Sequence, residues 1–316
     1  MDDSELTALF IPHLLEGEAP VRSGKRLVHY TSAEAAYRII SGREIWLRNA
    51  VLMNDFSEMR HGLACLQSAW NSPPGLRLRK WLDEKWPGFR EEIESTFDSH
   101  ADGLTTATFM LSLSEHDDEE DDLGRLSMWR AYGGSAGVAQ VLNPTIFLSE
   151  TDAIKAFSAP VMYRDVASFT EWFGHWVEGL VAAESQLLAV DRERLSSFFF
   201  YTFRTFVLCT KHPGFKEEKE WRVFHSPLID GESPWLEYAT EVIAGIPQQI
   251  VKVHLRDDPE LEVVGVAPAT LLNRTIIGPC EHPLPIRQAL YAALAQAEVP
   301  DPGAKVCMSF IPLRQR

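Results

Sequence analysis

The sequence predicts an α+β protein with a mainly antiparallel sheet and flanking helices. Three observations lead there. Short stretches alternating polar and apolar residues recur along the chain, as at 26–30, 44–48 and 249–255. Amphipathic stretches of helical period stand between them, the longest over 168–190 with Phe169, Trp172, Phe173, Trp176, Leu180 and Leu187. The glycine signatures of parallel nucleotide-binding folds, Gly-x-Gly-x-x-Gly and Gly-x-x-x-x-Gly-Lys-Ser/Thr, are absent.

Residues 4–15 read as a short helix and Arg26–Tyr30 as a strand. Thr31-Ser32-Ala-Glu34 has the form of a capping box, so a helix is expected from Ala33 to Ile40, with Gly42 as its stop. Glu44–Arg48 follows as a strand, and Asn54-Asp55-Phe-Ser57-Glu58 caps a helix carrying Met59, Leu63 and Leu66. Residues 76–97 are helical, and the Thr-rich stretch Thr105–Ser114 reads as a strand. Met128, Trp129 and Tyr132 lie on one side of a short helix that Gly133-Gly134 ends, before a buried strand over Ala136–Leu142. Val161–Arg164, Gln249–Leu255, Glu262–Val266, Arg274–Ile277 and Lys305–Phe310 read as strands, Leu195–Cys209 as a buried helix and Ile286–Ala295 as a helix.

With 316 residues, 45% of them hydrophobic, the chain can build a full core. No linker or repeat interrupts it, so a single domain over 1–316 is expected, with helical insertions near 55–100 and 165–210. Thirty basic against 45 acidic residues leave a net charge of −15, which opposes nucleic-acid binding by general electrostatics. Cys65, Cys209, Cys280 and Cys307 form no Cys-x-x-Cys, which fits a reduced cytoplasm and no structural zinc. No stretch is apolar enough to span a bilayer, and the opening Met-Asp-Asp-Ser-Glu lacks a signal-peptide profile, so a cytoplasmic protein with no membrane partner is expected.

The candidate site centres on 211–224. Glu218, Glu220, Arg222 and Phe224 share one face of an extended strand, and Lys219, Trp221 and Val223 the other. Three charges in a row suit either a solvated edge strand or a cleft wall in which Glu220 does chemistry beside Glu218 and Arg222. His29 and Tyr30 end a strand just before a helix N-terminus, a place suited to a polar or anionic ligand; His29 bonded to a carbonyl is the structural alternative. Trp129 and Tyr132 beside glycines form a stacking platform for a planar ring or are ordinary core aromatics. The run 115–122, with seven carboxylates and His116, lacks the spacing of a calcium loop and reads as a mobile, solvated loop. Neither Gly-x-Ser-x-Gly nor His-Glu-x-x-His occurs, and Cys280-Glu-His282 is a lone pair of potential ligands.

Several segments together carry a resemblance: His29-Tyr30-Thr31-Ser32, Ile45-Trp46-Leu47 with Asn54-Asp55, Ser112-Leu-Ser114, Met128-Trp129 with Tyr132 and Gly137, Glu218-Lys-Glu220-Trp-Arg222, Ile276-Ile-Gly278-Pro279 and Ser309-Phe-Ile-Pro312-Leu-Arg314. Through them the chain resembles the bacterial domain-of-unknown-function family 2971 over most of its length. A strand-borne His-Tyr-Thr, mid-chain aromatics and a late Glu-x-Glu are more distantly similar to the ADP-ribosyltransferase superfamily. That resemblance implies a split, mainly antiparallel sheet, NAD as co-substrate, no metal, and a role as a bacterial toxin or phage-defence effector with an unspecified protein or nucleic-acid acceptor. It implies Glu220 as the catalytic carboxylate with Glu218 beside it. His29, Tyr30 and Thr31 would hold NAD, Ser112 would stand for the superfamily's Ser-Thr-Ser, and Trp129 or Tyr132 would stack on nicotinamide. Arg48, Arg130 or Arg222 would pair the pyrophosphate. Two other classes stay open: a non-catalytic module binding a nucleotide or a protein partner, and a hydrolase or nuclease holding a divalent ion with Glu218, Glu220 and the acidic run.

Overall fold

The computed structural model describes residues 1–52, 56–243 and 245–312. Asn54 and Asp55, the expected cap, and Leu313-Arg314 of the closing segment lie outside the described residues. By internal contacts the chain divides into two compact units: Met1–Gly17, Ala50–Thr108 and Ala159–Lys216 in the first, and Glu18–Asn49, Phe109–Ser158 and Glu217–Arg316 in the second. No helix among the described residues is long and apolar enough to cross a membrane.

The first unit is largely helical, with long helices over Phe56–Trp70, Pro73–Lys85, Phe89–Thr106, Val166–Ala182 and Arg192–Leu208. The expected helix over 76–97 is two helices, because Gly88 at φ +79° turns the chain between them. Their core is aromatic: Phe10, Phe89, Phe169, Phe173, Trp176, Phe199, Phe203 and Phe206 are buried together. Helix Arg192–Leu208 is buried without a break from Thr202 to Leu208, in keeping with its all-round apolar sequence. Thr105 and Thr106 belong to a helix and not to the expected strand. Their hydroxyls donate back to the carbonyls of Ala101 and Asp102, so the turn of the helix overrides their β-propensity.

The second unit is built on the sheet. Its strands are β1 (Arg26–Ser32), β2 (Glu44–Asn49), β3 (Phe109–His116) and β4 (Gly137–Leu142). In chain order there follow β5 (Phe157–Pro160), β6 (Met162–Tyr163) and β7 (Thr210–Lys211), the last two pairing in the first unit. The rest are β8 (Glu220–His225), β9 (Leu236–Ile243), β10 (Ile246–His254), β11 (Leu272–Ile277) and β12 (Val306–Met308). The order β12-β11-β4-β1-β3-β2-β10-β9 is antiparallel except for β11 with β12, and β8 pairs β3. The fold is α+β with a mostly antiparallel open sheet. β9 was not foreseen, although Leu236, Tyr238 and Val242 alternate with Glu237 and Glu241 along it, and 262–266 forms only an isolated bridge at Val263.

One sheet face is apolar: Leu27, Leu47, Leu111, Leu113, Val138, Trp221 and Val251 pack with Ala36, Ile39 and Ile40 of helix Ala33–Gly42 and Leu290 and Leu294 of helix Pro283–Gln296. Ser32 caps helix Ala33–Gly42 through Ala35 N, and the left-handed stop is Arg43 at φ +51°, one residue beyond the expected Gly42.

In the first unit His13 is 5% exposed, against Trp172 and Phe206, and neither ring nitrogen has a partner among the described residues. Burial, with Arg164 adding to it, lowers its pKa to about 3. An unfolded histidine titrates near 6.5, so His13 costs stability increasingly as pH falls below about 6.5 towards 3. His13→Leu is expected to raise stability at pH 7 by about 1–3 kcal/mol, the cost of an unsatisfied buried polar group. Urea denaturation at pH 7 and pH 5 should show the gap widening at the lower pH; an unchanged gap would refute this.

Candidate functional site

The site grows from how three strands share β3. β8 runs along one edge, Phe109↔His225 to Ser114↔Glu220. On the other edge β2 pairs only Met110 and Phe109, and β1 only Ser114, Glu115 and His116. β1 and β2 therefore diverge and, among the described residues, leave Leu111, Ser112 and Leu113 without a strand partner on that edge. His29 fills part of the fork: its Nδ1 lies 3.2 Å from the Ser112 carbonyl oxygen. A carbonyl only accepts, so Nδ1 carries the proton and Nε2 is left as an acceptor. Burial lowers the His29 pKa to about 4, the Ser112 bond opposing it, so the ring is neutral at pH 7.

Cross-strand pairs project to one side, so the register puts Arg48, Met110, Ser112, Ser114, Glu220, Arg222 and Phe224 on the face opposite the apolar core. The charged residues of β8 are thus neither solvated nor on an edge. Glu220 and Arg222 are 5% and 1% exposed. Arg222 Nε donates to Glu220 Oε1 at 2.9 Å and Nη2 to Oε2 at 3.1 Å. Ser112 Oγ donates to the same Oε1 at 2.6 Å. Alternation sets His29 on the opposite face, with Leu27, contrary to the expectation that it shares a face with Glu220; β1 leaves β3 beyond Val28 but keeps its register against β4 through Ser32. Ser112 bridges the two, its carbonyl to His29 and its hydroxyl to Glu220.

Glu218 is not on the strand. It ends a 3₁₀ turn, Pro213–Glu218, and Lys219 between the two glutamates has φ +45°. Tyr132 Oη donates to Glu218 Oε1 at 3.1 Å, so these two expected residues do come together. Arg48, half-buried on the Glu220 face, gives Nε and Nη2 to Gln248 Oε1 at 3.2 Å each, and burial lowers its pKa. Thr31 lies on β1 opposite Val138, away from Glu220.

Tyr30 and Trp129 are placed elsewhere. They pack edge to face at 4.9 Å in a cluster with Val28, Met128, Ala139 and Ile276. A side chain at Gly124 or Gly278 would come within 2.8 Å of the Trp129 ring, so this indole is enclosed and offers no open face for stacking. Its Nε1 donates to Leu123 O at 3.0 Å. Tyr30 Oη lies 2.6 Å from His116 Nε2 and accepts from Arg125 N at 2.6 Å, and burial raises its pKa. His116 Nδ1 is 3.1 Å from Asp121 Oδ1, which completes a chain Asp121–His116–Tyr30–Arg125.

The acidic run, expected as a mobile, solvated loop, is tied down through five of its seven carboxylates, with Asp118 and Glu119 exposed. Glu120–Leu123 forms a helical turn. Lys25 pairs Glu115 and Asp117, Lys219 pairs Asp117, Arg26 pairs Asp121 and Arg274 pairs Asp122. Asp117 is held well below the usual carboxylate pKa, first by Lys219 and then by Lys25. Arg125, unremarked in the sequence, gives Nε to Glu120 Oε1, Nη1 to Ser114 Oγ and to the carbonyls of Glu217 and Glu218, and Nη2 to Glu115 O and Glu120 Oε2. Its signal was its place three residues after the last of seven carboxylates. Among the described residues no group of three or more His, Cys, Asp or Glu side chains is placed to hold a metal ion.

Tyr30→Phe deletes the hydroxyl between His116 and Arg125 N and leaves two buried polar groups unmet. A loss of about 2–3 kcal/mol is expected by urea denaturation. An unchanged midpoint would return Tyr30 to the list of residues available to a ligand.

The family described as "Protein of unknown function (DUF2971)" matches residues 128–223, from the helix of Trp129 and Tyr132 to Val223 on β8. That span holds Glu218, Glu220 and Arg222 and excludes His29, Arg48 and Ser112. No curated protein and no solved structure gives a significant match. The chain is similar to that family over this span.

Proposed function

We propose that the protein is an NAD-dependent ADP-ribosyltransferase or NAD glycohydrolase, with Glu220 as the carboxylate that acts on the ribose. The observation that carries the reading is the Ser112–Glu220 bond at the fork where β1 leaves β3, with His29 attached to the same Ser112. A Ser-x-Ser strand presenting a hydroxyl to the last glutamate of a Glu-x-Glu, on a mainly antiparallel sheet that splits beside it, is similar to the ADP-ribosyltransferase core. In this reading the C1′–N glycosidic bond breaks, its electron pair leaves with neutral nicotinamide, and the Glu220 carboxylate stabilises the oxocarbenium that remains. Water or an acceptor nucleophile then bonds to C1′ and releases a proton. His29 Nε2, opposite the nitrogen bonded to Ser112, would accept from a ribose hydroxyl, and Glu218, oriented by Tyr132 and two residues before Glu220, would orient the acceptor. NAD is the co-substrate, and the acceptor, macromolecule or water, is left open. A bacterial toxin or phage-defence role rests on the resemblance alone.

A second reading is favoured by a different observation. Both oxygens of Glu220 are engaged by Arg222, and the pair is almost wholly buried. Such a pair suits a non-catalytic module that binds a nucleotide or a protein partner.

Glu220→Gln separates the two. Exchanging a charged for a neutral partner of Arg222 should cost about 1.5–3 kcal/mol under either reading, so melting temperature is recorded only to fix conditions where both proteins are folded. Under those conditions the transferase reading expects nicotinamide release from NAD to fall by roughly two orders of magnitude or more, with NAD affinity little changed. Equal release by parent and variant, or none by the parent against NAD in cell extract, would leave the module reading standing.

A further inference from the structure

The element that sets the spacing of the two glutamates is Lys219. It is a non-glycine residue at φ +45°, where an L side chain crowds the backbone, and it is the hinge between the 3₁₀ turn ending at Glu218 and the strand beginning at Glu220. Such a conformation persists only where its surroundings over-determine it. Here they do so from both directions. The Lys219 ammonium is 2.5 Å from Asp117 Oδ2, and Lys25 holds the other oxygen of that carboxylate at 2.6 Å. The Lys219 carbonyl accepts from Glu115 N at 2.8 Å. The carbonyls of Glu217 and Glu218 are fixed by Arg125 Nη1, and that of Glu218 also by Ser114 Oγ at 2.5 Å.

We infer that Asp117, acting through Lys219, is a positioning residue: the ion pair holds residue 219 left-handed and so fixes where Glu218 stands relative to Glu220. This deepens the reading of the Glu218–Glu220 site and rests on it for the consequence to catalysis, though not for the mechanical claim. The acidic run thereby acquires a function as the anchoring surface of the glutamate hinge. Alternation alone would give Glu218 and Glu220 the same strand face; the left-handed residue is what takes Glu218 off the strand and lets Tyr132 reach it.

The test uses the full chain, with Asp117→Asn, Lys219→Gly and the two combined. Asp117 is substantially exposed, so the asparagine variant is expected to fold. Amide hydrogen exchange at Glu115, whose acceptor is the Lys219 carbonyl, should speed at least tenfold in Asp117→Asn. Glycine adopts positive φ without crowding, so Lys219→Gly in the Asp117→Asn background should restore slow exchange, a rescue that a merely structural ion pair would not produce. NAD turnover should follow the same pattern, with kcat falling in Asp117→Asn, KM for NAD unchanged, and kcat recovering in the double variant. Unchanged exchange at Glu115 in Asp117→Asn, or no recovery on adding Lys219→Gly, overturns the inference. Exchange that follows the pattern in a protein whose parent does not turn over NAD sustains the hinge and removes the catalytic reading.

Discussion

The second unit depends on one buried cation. Arg125 is 7% exposed, and its guanidinium reaches β3, the acidic turn and the segment leading into β8. The first two are neighbours in sequence, and the third lies 92 residues beyond Arg125. A guanidinium can join them because its donors are fixed in one plane and spread over more than one direction. A lysine, a single point of charge, could reach Glu120 but not acceptors on five residues at once. Taking the charge out of water is costly, and Glu120 returns part of that cost by meeting it with both carboxylate oxygens at 2.7 and 2.8 Å. Glu120 itself titrates below its usual range because these Arg125 bonds outweigh the burial that opposes them.

That anchor explains why so strongly acidic a chain concentrates carboxylates at one place. Seven in eight residues would repel one another in water, yet five of them face Lys25, Arg26, Lys219, Arg125 or Arg274. The run is held by Lys25 and Arg26 at the start of β1, Arg274 of β11, Lys219 before β8, and Arg125 just beyond the run itself. Five cations thus offset most of the charge of its seven carboxylates. The net −15 of the chain would still oppose free anions at long range.

At the candidate site the residues proposed for chemistry are also structural partners of one another. Glu220 and Arg222 are two apart on one strand face, so their pairing is set by the backbone and needs no distant partner. Ser112, opposite Arg222 in the register, adds a neutral donor to the carboxylate. A buried carboxylate held by Arg222 and Ser112 is a preorganised charge, which is what stabilisation of a developing cation requires. It is also a satisfied ion pair. Geometry leaves both uses open to the same atoms, and only turnover separates them.

The sequence by itself determined the α+β class, the long amphipathic and all-apolar helices, most strands of the sheet, and the pairing of Glu220 with Arg222 on one face, because these follow from local periodicity. It also marked Ser112 and His29, through short strand-borne polar segments. Tertiary structure decided the rest. Tyr30 and Trp129 have the composition of a ligand platform but are enclosed, since glycines at 124 and 278 let the chain close over the indole. Thr105 and Thr106 joined a helix because its end supplied carbonyls for their hydroxyls. Glu218 left the strand it seemed to share with Glu220 because Lys219 is turned left-handed by an aspartate a hundred residues away. No periodicity records that contact. Side-chain alternation is a property of the local backbone, whereas a strained hinge and a buried guanidinium exist only where separate segments meet to hold them.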